Sequence, residues 1–234
     1  MISTSEGCIF IFVSILKSSG DSSLIVGVLH LLQGILASGR QQSAGQVQNQ
    51  AFTLLERHGF SDAVIRLQAS LDGDVQRAAS DCAVKCDILQ NIIAELQSGD
   101  STTAAAAAGR LRRSLQACAS DAIFLAALGA NVATTLVRHL PSSVLSFGDD
   151  CAACLGLLAG CACKRRDASS GSAAIAQMVQ LLHEAIIQDV TGKFLLFRPF
   201  ISALSSADDI VRMGLSTLLH GVLSSNFDDS LVQH

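Results

Sequence analysis

The stretch Val75-Gln76-Arg77-Ala78-Ala79-Ser80-Asp81-Cys82-Ala83-Val84-Lys85-Cys86 decides the fold. Stepping from Val75 by 3, 4, 7 and 11 residues meets Ala78, Ala79, Cys82 and Cys86, all apolar, with Leu89 beyond them. Asp74, Gln76, Arg77, Ser80, Asp81 and Lys85 fill positions between. This spacing lays the apolar residues along one face of an α-helix. Working outward, the same template gives Leu24, Gly27, Val28, Leu31 and Ile35, then Ala104, Ala107, Ala108, Leu111 and Leu115. It gives Cys151, Cys154, Leu155, Leu158 and Ala162, and finally Val211, Gly214, Leu215, Leu218 and Val222. Val47, Gln50, Ala51, Leu54 and His58 follow it more poorly. The second template position is Gly, Ala or Cys in all five good helices, which predicts close approach of a neighbouring helix there.

What precedes the helices repeats as well. Ser18-Ser19-Gly20-Asp21, Leu71-Asp72-Gly73-Asp74, Gln97-Ser98-Gly99-Asp100, Ser146-Phe147-Gly148-Asp149 and Ser205-Ser206-Ala207-Asp208 each read as a turn and a helix start. The acid caps free N–H groups or complements the helix dipole. A shorter apolar segment lies before each turn, at Ile9–Leu16, Ala63–Leu71, Ile92–Leu96, Val132–Leu140 and Phe194–Leu204. Leu31-Leu32-Gln33-Gly34-Ile35-Leu36 parallels Leu218-Leu219-His220-Gly221-Val222-Leu223, so the first and last units match beyond the template. The unit is a short helix, a turn and a longer helix. Repeats of this size stack, each burying its face on the next. The prediction is an all-α solenoid of about five irregular repeats in one domain over residues 1–234. Lys164 to Ser172 reads as a loop insertion. The array is open to being part of a longer one.

The run from Asp121 to Ala162 carries a family resemblance. A short helix, Gly129, a second helix to Leu140, a turn and an Ala-rich third helix resemble one armadillo repeat. The shorter units around Val75 and Ala104 resemble the two-helix units of HEAT-type arrays. The resemblance covers most of the chain and implies a helical-repeat solenoid and no specific member. Armadillo proteins of the nuclear-import adaptor type hold basic peptides on a Trp and Asn ladder. Here the corresponding third helix reads Ala153-Cys154-Leu155-Gly156-Leu157-Leu158, and the chain has no Trp, so that function is not implied.

Composition narrows the rest. Half of the 234 residues are hydrophobic and 15% are charged, with mean hydropathy +0.44, which excludes a disordered chain. A net charge of −4 argues against phosphate-backbone binding, and the absence of Trp and Tyr argues against base stacking. Cys8 to Leu16 is apolar but only nine residues long, and it sits between Glu6 and Lys17, the reverse of the signal-peptide charge order. The apolar centre between Leu24 and Leu36 falls short of the roughly 20 residues that span a bilayer. Both points argue against a membrane partner. The eight cysteines fall mostly on helix faces, where neighbours do not pair. Read as reduced thiols, they place the chain in the cytoplasm or a similar compartment, with nuclear or cytoskeletal and ciliary association left open.

The chemistry motifs are weak. Cys151, Cys154 and Cys161 fall within one helical arc and form a zinc candidate, although cysteine also serves as a small hydrophobe. His183-Glu184 opens like a zinc-protease helix, but Ile187 stands where the second His belongs. Val190-Thr191-Gly192-Lys193-Phe194 lacks the upstream Gly and the Ser or Thr of a phosphate loop. No nucleophile pairs with a base, so neither enzyme activity nor a cofactor is expected. The partner-binding candidates are Phe194, Phe197 and Phe200, spaced three apart, and the basic pair Arg110 and Arg113. The expected function is a non-catalytic protein-interaction scaffold, as a subunit or adaptor of an assembly. The alternatives are an armadillo-like exchange cofactor of Hsp70 and a zinc or thiol protein.

Overall fold

Aspartate side chains start four of the long helices, because the first turn of a helix leaves N–H groups without backbone partners. Asp21 Oδ1 accepts from the Leu24 N–H at 3.1 Å. Asp72 Oδ1 accepts from Asp74 and Val75 at 2.9 and 3.1 Å, and Asp208 Oδ1 from Ile210 and Val211 at 2.9 and 3.4 Å. Asp100 accepts from the Thr102 and Thr103 N–H groups at 3.3 and 3.0 Å and from both threonine hydroxyls. Those hydroxyls and amides hold the Asp100 carboxyl down at about 2, against an ordinary value of 3.8. A pKa lowered by folding adds stability that is fully present above the unfolded value and lost as pH falls through the folded one. Thermal melts between these two values are therefore expected to steepen in their pH dependence, and Asp100→Asn should flatten part of it. An unchanged profile in that variant would discount the cap.

The computed structural model describes residues 6–42, 46–117, 124, 127, 131–142, 145–164, 168–187 and 197–231. Among them every regular element is helical. In chain order these are α1 (Glu6–Ser18), α2 (Ser22–Gln42), α3 (Gln46–Arg57), α4 (Phe60–Leu67), α5 (Gly73–Lys85) and α6 (Ile88–Leu96). They continue as α7 (Ser101–Gln116), α8 (Val132–His139), α9 (Leu145–Lys164), α10 (Ala168–Ile187), α11 (Phe197–Leu204) and α12 (Asp209–Leu231). Short and long helices alternate as α1/α2, α4/α5, α6/α7, α8/α9 and α11/α12, the five predicted hairpins. Contacts cluster into two units, Met1–Asn91 with Gln116–Ala126, and Ile92–Leu115 with Ala127–His234.

In the first unit, hairpin stacks on hairpin. Long helix α2 lies against long helix α5, and short helix α1 against short helix α4. This like-on-like stacking is solenoid packing, and α3 is an extra helix beside α1, α2 and α4. Arg66 of α4 donates to the Lys17 carbonyl at the end of α1 at 2.8 Å, answering a carbonyl the helix leaves open. Lys17 Nζ in turn donates to the His58 carbonyl at 2.5 Å. Next to it Gly59, with φ 76, makes the sharp turn from α3 into α4, a conformation that favours glycine.

The second unit is built around α9, which packs on α8, α10, α11 and α12. Residues Cys151 to Gly160 are all buried. Ser146–Lys164 is long and apolar enough to cross a membrane by length and composition, but 72% of its apolar window is buried inside the protein, the pattern of a core helix. Glycine lets α12 come into backbone contact with it. A Cβ on Gly214 would stand 1.9 Å from the Gly156 carbonyl oxygen, and one on Gly160 would stand 2.4 Å from that of Ile210. The small second template position does here what the sequence implied.

Three expectations need correcting. In α2 the buried face is Ile25, Val28, Leu29, Leu32 and Leu36, one residue out of the expected register, and Leu24 and Leu31 are 46% and 45% exposed. The helix is apolar on two sides, so periodicity alone could not choose between them. Ser146-Phe147-Gly148-Asp149 is not a turn but lies inside α9. Gly148 sits there because a Cβ would touch the Leu140 carbonyl and Pro199 at 3.0 Å. The expected insertion over 164–172 overlaps two helices, since Lys164 ends α9 and α10 begins at Ala168. Gly171 belongs to the core, where a Cβ would meet the Ala162 carbonyl oxygen at 2.5 Å.

Candidate functional site

An open groove of about 600 Å³ lies between α2 and α5 in the first unit. Ser22, Ser23, Val26, Gly27 and His30 line it from α2, and Asp72, Asp74, Arg77, Ala78 and Asp81 from α5 and its cap. The polar residues of the α5 template, which face away from the core, supply its charge. Asp72 is tied up as the cap, and hydrogen bonds from the Ser22 side chain and two backbone amides lower its pKa. Asp74 and Asp81 reach outward. Arg77 pairs with Asp74 at 3.1 Å, both side chains being more than 70% exposed. Lys85 approaches Asp81 at 3.9 Å. Exposed pairs like these are worth little and exchange readily. The groove thus offers three carboxylates, serine hydroxyls and one cation over a floor that includes Val26 and Ala78. The template reading identified these side chains only as the polar remainder of a helix. The groove itself depends on how two helices meet, which no local pattern encodes.

The residues singled out from the sequence scatter. Phe194 lies outside the described residues. Phe200 is 3% exposed; with Phe197, Leu182, Ile186, Leu219 and Val222 it lines a narrow apolar crevice in the second unit. Burial removes Phe200 from any surface, so as a partner contact it is corrected to a core residue. The two arginines also part. Arg110 forms an ion pair with Glu95 and its side chain is 17% exposed, whereas Arg113 is exposed. Arg112 between them pairs with Asp150 at 2.9 Å. Two of the three charges are thus spent inside the second unit and do not form a basic patch.

Cys151, Cys154 and Cys161 do not converge. Cys151 and Cys154 are fully buried, and Cys161 is partly exposed. Cys154 Sγ donates to the Ala108 carbonyl of α7 at 3.7 Å. Burial raises both buried thiols above their ordinary value, the opposite of what a thiolate ligand needs. Among the described residues no three His, Cys, Asp or Glu side chains are grouped to hold a metal. Cys82 and Cys86 face each other with Sγ atoms 3.7 Å apart. Hydrogen bonding to Cys86, and then burial, raises Cys82. None of the seven described cysteines is in a disulfide. A thiol reagent is expected to modify exposed Cys8 and Cys163 in the native chain and to reach Cys82, Cys86, Cys151 and Cys154 only as denaturant unfolds it. Rapid native labelling at Cys151 or Cys154, mapped by peptide mass, would contradict this packing.

No family model matches the chain, and no curated protein does. Similar solved structures include an engineered protein at 16% identity and a TM-score of 0.44, covering 95% of this chain and 93% of that one. A designed armadillo repeat protein is 14% identical with a TM-score of 0.37, covering 92% and 99%. A third, computationally designed for modular peptide recognition, is 14% identical with a TM-score of 0.39, covering 92% and 82%. Among the described residues the chain is all-helical, built of paired short and long helices.

Proposed function

We propose that this chain is a non-catalytic protein-interaction scaffold that holds an extended basic segment of a partner protein in the groove between α2 and α5. The observation that carries the reading is the groove itself, open, about 600 Å³, and lined by three carboxylates against one arginine. Carboxylates and hydroxyls suit lysine and arginine heads and peptide N–H groups, and the apolar floor suits their aliphatic stems. Such a contact needs no reacting group, which agrees with the lack of any nucleophile and base pairing in the sequence. None of the seven described cysteines is in a disulfide, which fits a reducing compartment such as the cytoplasm.

Fluorescence anisotropy with a labelled Lys/Arg-rich peptide tests this, with an acidic peptide of equal length as control. The basic peptide should bind saturably and weaken as salt rises. Asp74→Asn combined with Asp81→Asn should weaken it at least about fivefold, since the steering and pairing charges are removed. Equal binding of both peptides, or no change in the double variant, would remove the groove from the reading.

A further inference from the structure

The face of α5 that lines the groove carries its charges in a fixed order. Asp74, Arg77 and Asp81 read acid, base, acid along it. Asp74 and Asp81 are seven residues apart, so they share nearly the same side of the helix, about 10.5 Å apart along its axis. Arg77 stands between them, three residues after the first and four before the second. Its guanidinium rests on Asp74 at 3.1 Å, the two side chains being 75% and 79% exposed, and Lys85 approaches Asp81 at 3.9 Å. Pairs so exposed open at little cost. A basic side chain arriving from a partner takes the place of Arg77 on Asp74, yet the arginine's own charge stays in the groove, between the two carboxylates. Asp72, the third acid, is held by the Ser22 side chain and the backbone amides of Asp74 and Val75. Asp74 and Asp81 are therefore the two positions open to a partner's cations.

We propose that the groove selects a segment whose basic residues stand three apart with no basic residue between them, and that Arg77 is the specificity-determining residue, a selection that rests on the groove being the site of an extended basic segment. A chain in the polyproline II form returns to the same side every three residues and advances about 9 Å in doing so. The long side chains of lysine and arginine extend that rise to the separation of Asp74 and Asp81. Adjacent basic residues start only about 3 Å apart, so while one meets Asp74 the other falls beside Arg77. Two like charges in contact oppose binding by roughly fivefold even in water. Val26 and Ala78, on the floor of the same groove, suit small uncharged residues in the interval. The groove thus reads the spacing of positive charge as well as its amount, with two acids to attract and one arginine to reject.

Two labelled peptides of one composition test this by fluorescence anisotropy at low ionic strength, Lys-Ala-Ala-Lys and Ala-Lys-Lys-Ala between the same Gly/Ser flanks. The spaced peptide should bind the full chain roughly fivefold tighter than the clustered one. Arg77→Ala alters an exposed side chain, so circular dichroism should be unchanged. It should tighten the clustered peptide more than the spaced one and bring the two within about twofold of each other. Arg77→Glu should reverse the order, because the second lysine of the clustered pair then meets a carboxylate. Equal binding of the two peptides by the parent chain overturns the proposal, as does a preference for the spaced peptide that survives in both Arg77 variants. Binding of the longer Lys/Arg-rich peptide with neither short peptide bound overturns it too. None of these outcomes removes the groove as a basic-segment site, which falls instead if the Lys/Arg-rich peptide and its acidic control bind alike.

Discussion

Gly214→Ala is expected to destabilise the second unit by about 3 kcal/mol or more, at the upper end of over-packing costs. The added methyl would lie 1.9 Å from the Gly156 carbonyl oxygen and 2.6 Å from the Gly160 nitrogen. Neither is the end of a flexible side chain that can swing away. To admit the methyl, α12 must separate from α9 along the contact on which the unit is built, and Leu215 and Leu218, both 0% exposed, separate with it. The matched control is Gly27→Ala in α2. It occupies the equivalent sequence position, but nothing lies within 4 Å of its Cβ position. There the gain is the ordinary alanine-over-glycine preference in a helix, up to about 1 kcal/mol. Urea unfolding followed by circular dichroism should move the midpoint in opposite directions for the two variants. If Gly214→Ala unfolds at the parent midpoint, the close approach of α9 and α12 is wrong.

That contrast shows how much of the fold the sequence carries. The templates beginning at Val75, Ala104, Cys151 and Val211 select residues that are all buried. In α2 the same step pattern selects a stripe that is mostly exposed, Val28 excepted. Shifted by one residue it selects the core, since Leu-Ile-Val and Leu-Leu offer apolar residues in both registers. Periodicity reports that a face is apolar, and only the neighbours decide which apolar face is covered. Several turns were legible through capping aspartates. The turns at Gly59, Asp87 and Asn131 were not singled out, although all three hold positive φ. Asn and Asp tolerate that conformation better than most residues, and this was the signal available.

The site was less legible than the fold. Three aromatic residues at spacing three suggest a surface stripe, but the same spacing suits a core face, and α11 buries Phe200 with Pro199 and Ala203. The arginine cluster reads as a patch only until Glu95 and Asp150 are placed beside it, and both lie far enough along the chain to escape local inspection. The groove acids were visible as single residues at the start and on the polar face of α5. Nothing local says that Ser22, Val26 and His30 of α2 come to lie opposite them.

The segment from Leu145 to Asp150 gives the second large effect. Read as Ser-Phe-Gly-Asp, it has the composition of a turn, and a phenylalanine in a turn would be replaceable at little cost, within about 0.5 kcal/mol. The structure places Phe147 in the first turns of α9 at 2% exposure, with its ring tilted against that of His139 at a centroid distance of 4.8 Å. His139 is held in turn by a contact between its ring nitrogen Nε2 and the Leu96 carbonyl at 3.1 Å. Phe147→Ala therefore removes a buried ring and leaves a cavity beneath the junction of α8 and α9, at a cost of about 3–5 kcal/mol. That is a large share of the 5–15 kcal/mol by which domains are typically stable. Phe147→Leu keeps most of the volume and should cost less than about 1.5 kcal/mol. Denaturant midpoints of the two variants separate the readings. A large loss for alanine and a small one for leucine is packing in a helix, and a negligible loss for both would return this segment to a solvent-exposed turn.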